Sequence, residues 1–343
     1  MEGKSQSMVA WRMSIAPMMD WTDRHCRVFH RRFSRHALLY TEMITSSALV
    51  RGGAGWLLEH DTAEHPLALQ LGGSEPEELA SAVRFATRYR FDEINLNVGC
   101  PSDRVQSGCF GAVLMREPRR VARCVAAMQD AADGIEITVK CRIGVDDQTP
   151  AEALPTFLDA LRRAGLRRVA IHARMAWLNG LNPKENRDIP PLDYPLVRSM
   201  KDRFPQLSIS LNGGITTLDQ AEAHLAAGFD GVMIGRAAYH TPAEILGAAD
   251  RRIFGRDGPD VTGEDAVRSM LPYIEAQRSA GTPLHLITRH MLGAFNGRPG
   301  ARAWRRAISE GQHLRDAGPE LVEAALGHVH PPEPQVEAVG RAG

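Results

Sequence analysis

The chain has 343 residues with 41 basic and 41 acidic side chains, so its overall charge indicates neither an acidic nor a basic partner. Hydrophobic residues make up 43% and charged residues 24% of the sequence, which excludes a disordered chain and is typical of a globular protein. No apolar run is long enough to span a bilayer, and we expect a cytoplasmic protein without a signal peptide. The five cysteines include no C-x-x-C pair, which favours free thiols over a metal site.

Residues 1–12 are polar and without periodicity, and we expect a flexible leader. From residue 13 onward, short apolar runs alternate with segments of helical composition. The predicted strands are Ser14–Met18, Ala37–Tyr40, Leu67–Leu71, Glu93–Asn97, Glu136–Cys141, Arg168–His172, Ser208–Asn212 and Gly231–Ile234. The predicted helices are Pro76–Tyr89, Pro118–Ala132, Ala151–Ala164, Pro195–Phe204, Leu218–Ala227 and Pro242–Phe254.

Eight strands that alternate with helices predict an α/β fold, a (β/α)8 TIM barrel over residues 13–254. A doubly wound sheet is the alternative, but no G-x-G-x-x-G turn follows the first strand. A polar or otherwise special residue stands at the end of every predicted strand. These residues are Pro17-Met18-Met19-Asp20, Thr41-Glu42, Gln70, Asn97 with Cys100, Lys140 with Arg142, His172 with Arg174, Asn212-Gly213-Gly214 and Gly235-Arg236. In a barrel all these ends meet at one rim, so their recurrence predicts an active site there.

Glycines after the last two strands predict a phosphate site. Asn212-Gly213-Gly214 and Gly235-Arg236 stand where this fold usually holds a phosphate group. Glycine lets backbone N–H groups approach the oxygens, the next helix presents its positive end, and Arg236 adds a charge. The site would accept either a sugar phosphate or a phosphorylated cofactor.

Two further strand ends carry groups that can take part in chemistry. Lys140 could form a Schiff base, as in aldolase-type lyases, or stabilise negative charge on a reduced flavin, and His172 would project over the same rim. Cys100 ends a buried strand, and a thiol holds its proton at neutral pH yet can deliver it to a carbanion. Cys109, in the glycine-rich run 106–111, is a rival thiol that the sequence does not rank against Cys100.

Residues 260–328 show no strand-like alternation and predict a separate all-helical domain, with a disordered tail at 329–343. Its helices are predicted at Ala266–Ser279, Pro283–Phe295, Ala301–Leu314 and Glu320–Leu326. No acidic residue occurs between Glu275 and Glu310. That window holds Arg278, Arg289, His290, Arg298, Arg302, Arg305 and Arg306, interleaved with Phe295 and Trp304. The pattern predicts binding to a phosphate backbone, with aromatic rings to stack on bases. A second basic spot, Lys184 to Arg187, lies in the loop after strand six.

Several motifs in order resemble the tRNA-dihydrouridine synthases. They are Ala16-Pro17-Met18, Thr41-Glu42-Met43, Gln70-Leu-Gly-Gly73, Asn95-Leu-Asn-Val-Gly-Cys-Pro-Ser102, Thr138-Val-Lys140, His172-Ala-Arg174, Asn212-Gly-Gly214 and Gly235-Arg236. The loop 182–192 and the segment from Arg289 to Arg306 are similar to the subfamily that reduces uridines 20 and 20a of the tRNA D loop.

The resemblance implies a cytoplasmic oxidoreductase that binds FMN, takes electrons from NADPH and reduces the C5–C6 bond of these uridines in tRNA. Flavin N5 would give hydride to C6 of a flipped-out uracil, and Cys100 would protonate C5. The implied cofactor contacts are Pro17, Met18, Met19, Gln70, Lys140 and His172, with Asn212, Gly213, Gly214, Gly235 and Arg236 at the phosphate end. The implied tRNA contacts are Asn97, Lys184, Arg187, Arg302 and Arg305. The resemblance implies no metal, membrane or obligate protein partner.

Three alternatives stay open. They are a small-molecule flavin reductase of the dihydroorotate dehydrogenase type, a Schiff-base lyase that uses Lys140, and a non-catalytic RNA-binding module. The sequence does not decide whether both uridines are reduced, whether NADPH is preferred to NADH, or whether the protein is monomeric.

Overall fold

The computed structural model describes residues 10–102, 108–314 and 316–329, and its centre is a parallel sheet of eight strands. The strands are β1 (Met13–Ile15), β2 (Leu39–Thr45), β3 (Leu67–Gly72), β4 (Glu93–Val98), β5 (Glu136–Cys141), β6 (Arg168–His172), β7 (Ser208–Asn212) and β8 (Gly231–Ile234). They pair in chain order from β2 to β8, and β8 pairs with β1. A parallel bridge between Ser14 and Leu38 joins β1 to the residue before β2. The predicted (β/α)8 barrel is therefore confirmed.

Helices connect the strands. They are α1 (Arg24–Phe33), α2 (Ser46–Val50), α3 (Pro76–Ala86), α4 (Pro118–Ala131), α5 (Pro150–Arg163), α6 (Glu185–Asp188), α7 (Tyr194–Arg203), α8 (Leu218–Ala226), α9 (Arg236–His240), α10 (Pro242–Leu246) and α11 (Ala249–Arg252). Helices α3, α4 and α5 begin with proline, which suits the first turn because its missing N–H would have no partner there. Short 3-10 turns cover Gly55–Leu58, Thr62–Glu64, Thr87–Tyr89 and Gly111–Arg116.

Two strands, β1 and β2, differ from the prediction by more than one residue at an end. β1 ends at Ile15, because the chain turns at Met18, whose N–H donates to the Thr22 hydroxyl at 2.9 Å. β2 runs on to Thr45, since an irregularity in its pairing with β3 after Tyr40 lets the strand continue. Thr41 and Glu42 consequently lie within a strand and not after its end.

Alternate residues of each strand face opposite sides of the barrel wall. The apolar residues of β4, Ile94, Leu96 and Val98, belong to the large core between the strands and the helices. Polar or small residues occupy the other face, as Glu93, Asn95 and Asn97 do in β4. A smaller apolar cluster fills part of the barrel interior, with members Ala10, Trp11, Ala16, Leu38, Tyr40, Ala68, Ala170 and Met233. This alternation leaves the barrel interior partly polar.

The predicted flexible leader, residues 1–12, is partly wrong. Trp11 is buried in the interior cluster and Arg12 Nε donates to the Ile253 carbonyl at 3.1 Å, so residues 10–12 are not a flexible leader. Residues 1–9 of that leader and 330–343 of the predicted tail lie outside the described residues, as do residues 103–107 of the loop after β4.

The chain after the barrel is helical, as predicted, in α12 (Gly263–Ser279), α13 (Leu284–Thr288), α14 (Ala301–Gly311) and α15 (Pro319–Leu326). The predicted helix Pro283–Phe295 is wrong beyond Thr288, where turns continue to Gly300 through positive φ angles at Gly297 and Gly300. The predicted helix Pro242–Phe254 is likewise two short helices, which separate at Gly247-Ala248.

The helical segment packs directly on the barrel. Asp23, the N-cap of α1, accepts from Arg289 Nη2 at 2.6 Å and contacts His290 Nε2 at 3.0 Å. His25 Nδ1 lies 2.8 Å from the Tyr273 hydroxyl. One hydrophobic core includes residues of both parts. That residues 260–328 form an independent domain stays a prediction.

A buried ion pair between Arg27 and Glu64 should contribute strongly to the stability of the fold. Glu64 is fully buried, and its Oε2 lies 2.6 Å from Arg27 Nε. Because Glu64→Ala leaves the guanidinium without its carboxylate, we expect a loss of about 3–5 kcal/mol in the free energy of unfolding. Arg167→Ala removes an exposed pair with Glu136 and should cost about 1 kcal/mol or less. Equal losses in urea denaturation of both variants would contradict the prediction.

Candidate active site

A cavity of about 610 Å³ opens at the carboxyl ends of the strands. The predicted cofactor residues all line it, although they come from distant parts of the chain. These residues are Pro17, Met18, Met19, Gln70, Lys140, His172, Asn212, Gly213, Gly214, Gly235 and Arg236. Cys100, Asn97 and Arg187 line the same cavity, so the structure brings the predicted groups together. Thr41 and Glu42 do not line it; Thr41 instead accepts the Gln70 N–H at 3.0 Å.

The loop after β7 has room only for glycine. Gly213 and Gly214 have φ angles of +106° and +73°, a region that side chains disfavour. A Cβ at Gly213 would lie 2.5 Å from the His172 ring, and one at Gly214 would lie 2.5 Å from the Tyr194 hydroxyl. At Gly235 the nearest atoms would lie at an ordinary contact distance of 3.7 Å, so a Cβ would fit there. The loops after β7 and β8 thus form a cradle of backbone that suits a phosphate group.

Cationic side chains dominate the charge around the cavity. Lys140, Arg142, Arg187 and Arg236 line it, whereas Asp20 is the one carboxylate among the described lining residues. Burial and then the Arg142 charge lower the pKa of Lys140 to about 8. Arg236 Nη2 pairs with Asp188 Oδ1 at 2.7 Å. This set of donors suits an anionic ligand.

Two residues of the cavity wall, His172 and Arg142, are buried. Burial, followed by the charges of Arg142 and Lys140, lowers the pKa of His172 well below its ordinary value, so its imidazole is neutral at neutral pH. Burial also lowers the pKa of Arg142 to about 10. Arg142 donates to the carbonyls of Gly99, Met175 and Asn186 at 3.2, 3.1 and 2.9 Å. It therefore ties the Cys100 turn to the loop after β6.

Cys100 occupies a tightly held turn after β4. The N–H groups of Gly99 and Cys100 both donate to Asn97 Oδ1 at 3.0 Å. The Cys100 sulfur is half-buried, lines the cavity and lies 3.4 Å from the Ser102 hydroxyl. Cys109 is exposed and is not among the lining residues, while the other three cysteines are buried. Of the two thiols that the sequence left unranked, only Cys100 therefore lines the cavity.

The predicted tRNA contacts fall into two groups. Asn97 and Arg187 line the cavity, whereas Lys184 is exposed just before α6. Arg302 is exposed on α14, and Arg305 Nη1 donates to Asn296 Oδ1 at 2.5 Å. These two arginines lie outside the cavity lining, on the helical segment.

The aromatic residues of the acid-free window do not face solvent. Phe295 and Trp304 are fully buried and pack edge to face with ring centroids 5.0 Å apart. The prediction that they stack on bases is therefore wrong, because they form the core of the helical segment. Arg289 and His290 are also engaged, by Asp23, which leaves Arg302 and Arg306 as exposed cations of this window.

Sequence reasoning missed part of the cavity wall. Trp21 and Met43 line it, and the Trp21 ring stacks on Tyr239 with centroids 4.5 Å apart. Arg142 stands at the end of its strand in the sequence, but no pattern there predicts its contacts with three carbonyls. The signal available for Trp21 was its position directly after Met18-Met19-Asp20, in the first loop of the rim.

The fold and the site define a class of protein. Parallel strands, a rim cavity with a phosphate cradle and a thiol at its mouth are together typical of a (β/α)8-barrel enzyme. Within the described residues, no group of three His, Cys, Asp or Glu side chains is placed to hold a metal. No helix in the part of the chain that the structure describes is long and apolar enough to cross a membrane.

Comparison with known proteins gives the family. The family model described as dihydrouridine synthase (Dus) matches residues 14–330. This chain belongs to the dihydrouridine synthase family. The tRNA-dihydrouridine(20/20a) synthase of Vibrio parahaemolyticus is 52% identical over 319 residues, covering 93% of this chain and 97% of the relative. The protein of the same name from Escherichia coli strain K12 is 54% identical over 316 residues, covering 92% and 90%.

A solved structure has a similar fold at low sequence identity. The old yellow enzyme homologue from Zymomonas mobilis superposes with a TM-score of 0.51 and 12% identity, covering 74% of this chain and 92% of that chain. At this identity the similarity concerns the barrel fold alone.

Proposed function

We propose that this protein is an FMN-dependent synthase that reduces uridines 20 and 20a in the D loop of tRNA, with NADPH as the reductant. The observation that carries the proposal is the convergence of Cys100 and the predicted flavin contacts on one cavity. The names of the relatives support the substrate, and family membership favours this function over the small-molecule reductase, the lyase and the RNA-binding module.

The cavity residues fit the proposed cofactor. Gly213, Gly214, Gly235 and Arg236 would hold the phosphate end, since glycines leave the backbone N–H groups uncovered by side chains and Arg236 adds positive charge. Lys140 and Gln70 would contact the ring, and the cation would stabilise negative charge on a reduced flavin. His172, held neutral by its surroundings, can donate or accept a hydrogen bond there.

The protein's own part in the reduction is the proton transfer. Bound FMN, after reduction by NADPH, would supply the hydride that adds to C6 of the uracil. The Sγ–H bond of Cys100 breaks as a C5–H bond forms, so that one hydride and one proton saturate the ring. Lys140 and Arg142 line the same cavity as Cys100 and would place positive charge beside the sulfur as it gives up its proton.

The position of the cavity requires the base to leave its stack. A uracil inside a folded tRNA cannot reach a pocket at a barrel rim, so it would be flipped outward. Arg187, which is exposed at the cavity, and Lys184 on the same loop would contact the adjacent backbone. Arg302 and Arg305 would hold a more distant part of the tRNA.

The proposal is tested with purified protein and a tRNA that lacks dihydrouridine. Dihydrouridine, measured by mass spectrometry of the nucleosides, should appear when both FMN and NADPH are present and be absent when either is removed. A protein that binds no FMN, or that leaves the tRNA unchanged in the complete mixture, would contradict the proposal. Trapping of an imine on Lys140 by borohydride would favour the lyase instead.

A further inference from the structure

A row of buried polar side chains runs from the wall of the cavity into the barrel interior. Asn97, Asn95 and Glu93 follow one another on the inner face of β4, because alternate residues of a strand share a face. Gln70 of β3 and Thr138 of β5 lie beside Asn95 in the strand register. All five residues are at most 8% exposed. Buried polar groups need partners, and these residues supply them to one another.

The upper part of the row fixes the cysteine turn. Gly99 and Cys100 donate their N–H groups to Asn97 Oδ1 at 3.0 Å. Asn97 Nδ2 then donates to Gln70 Oε1 at 2.8 Å. Gln70 Nε2 donates in turn to Asn95 Oδ1, also at 2.8 Å.

The lower part of the row ends at a carboxyl group. Asn95 Nδ2 donates to the Thr138 hydroxyl at 2.8 Å, and that hydroxyl donates to Glu93 Oε1 at 2.6 Å. The Tyr40 hydroxyl also donates to Glu93 Oε1. Every bond from the Cys100 turn to Glu93 therefore runs in the same direction, and successive bonds in such a chain strengthen one another.

The direction of the chain follows from its two ends. The oxygen and nitrogen of an Asn or Gln amide have nearly the same shape, so only hydrogen-bond partners decide which way the amide points. The backbone N–H groups of Gly99 and Cys100 can only donate, and Glu93 Oε1 accepts. With both ends set, each amide between them has one consistent orientation. Gln70 keeps one N–H and one oxygen lone pair for a ligand, and Asn97 keeps one N–H, since its Oδ1 already accepts two hydrogen bonds.

We propose that Thr138 and Glu93 are positioning residues, which orient the Gln70 and Asn97 amides and so hold the Cys100 turn against the cavity. The part that concerns Gln70 as a flavin contact rests on the proposed function, whereas the part that concerns the Cys100 turn does not. Without the Thr138 hydroxyl, Asn95 Nδ2 has no acceptor. The orientation of the amides is then set from the backbone end alone, so the reversed orientation becomes less costly. A reversed Asn97 would turn its NH₂ group toward two N–H groups and release the turn.

The test uses Thr138→Val, which removes the hydroxyl, and Thr138→Ser, which restores it. The matched control is Ser210→Ala, in strand β7 of the same barrel, whose buried hydroxyl has no hydrogen-bond partner among the described residues. The first readout is the rate at which iodoacetamide alkylates Cys100 in the folded protein with excess FMN, followed by peptide mass spectrometry. The exposed Cys109 is the internal reference. The second readout is the Kd for FMN.

We expect Thr138→Val to speed Cys100 alkylation about threefold or more relative to Cys109, because the lost acceptor leaves buried donors unsatisfied. We expect it to weaken FMN binding about fivefold or more for the same reason. Thr138→Ser and Ser210→Ala should each stay within about twofold of the parent protein, since the chain of bonds is intact in both. Should Thr138→Val fail to fold, Glu93→Met removes the terminal acceptor from the other end, and the same alkylation change is expected.

An unchanged Cys100 alkylation rate in Thr138→Val, or an equal change in Thr138→Ser, would overturn the inference. Failure of the proposed function is distinguishable, because the parent protein would then bind no FMN while the alkylation comparison still reports on the turn.

Discussion

Cys100→Ala is expected to lower the rate of dihydrouridine formation by about a hundred- to ten-thousandfold, the range over which a positioned general acid accelerates a reaction. The thiol lines the cavity, and the side chain that replaces it has no proton to give to C5. Retained FMN binding and an unchanged rate of flavin reduction by NADPH would locate the defect in proton transfer. Single-turnover kinetics with pre-reduced enzyme and tRNA measure this step directly.

Cys109→Ala is the matched control for the Cys100 prediction. Cys109 is exposed and lies outside the cavity lining, so its loss should leave the rate within about twofold, as for most surface substitutions. Comparable losses of rate in the two variants would show that Cys100 is not the specific proton donor. A Cys100→Ala enzyme with nearly full activity would remove the thiol from the mechanism.

Arg302→Glu is expected to weaken tRNA binding about tenfold, through loss of a phosphate contact and the added repulsion. Arg302 is exposed on α14 and makes no ion pair with the described residues, so its charge is available to a ligand. Because it acts on docking and not on the reacting base, KM should rise while kcat changes little. When the logarithm of the affinity is plotted against the logarithm of the salt concentration, the slope should be smaller by about one released counterion.

Arg256→Glu is the matched control for Arg302→Glu, because it makes the same change of charge at a site outside α14. Arg256 is exposed and follows α11, the last helix of the barrel. It should alter tRNA affinity by about twofold or less, because only the long-range field changes. Equal effects of the two reversals would show that α14 is not a docking surface. A defect of Arg302→Glu in kcat alone would also contradict the proposed role.

The barrel could be predicted from the sequence because its strands alternate so regularly. In β4, Ile94, Leu96 and Val98 pack outward while Asn95 and Asn97 point inward, and a period of two is visible without any tertiary information. The convergence of the strand ends followed from the geometry of the fold. That is why the predicted flavin contacts lie around one cavity although they are distant along the chain.

Other features depend on tertiary contacts that the sequence does not reveal. Helix α1 was not predicted, because its composition is strongly basic. Its Arg27 and Arg31 are nevertheless buried, since Glu64 and the carbonyls of Ala37 and Pro66 accept their hydrogen bonds. Phe295 and Trp304 stand among arginines yet form a core. Glu93 belongs to no motif and Thr138 stands only as the first residue of Thr138-Val-Lys140, because their contribution exists only through side chains of three adjacent strands.

The most direct test of the proposed activity is to map dihydrouridine, position by position, in tRNA treated with the purified protein, FMN and NADPH. We expect dihydrouridine to appear at positions 20 and 20a, and the Cys100→Ala protein to place almost none there. Dihydrouridine at other positions, or none at any position with a flavin-loaded protein, would contradict it.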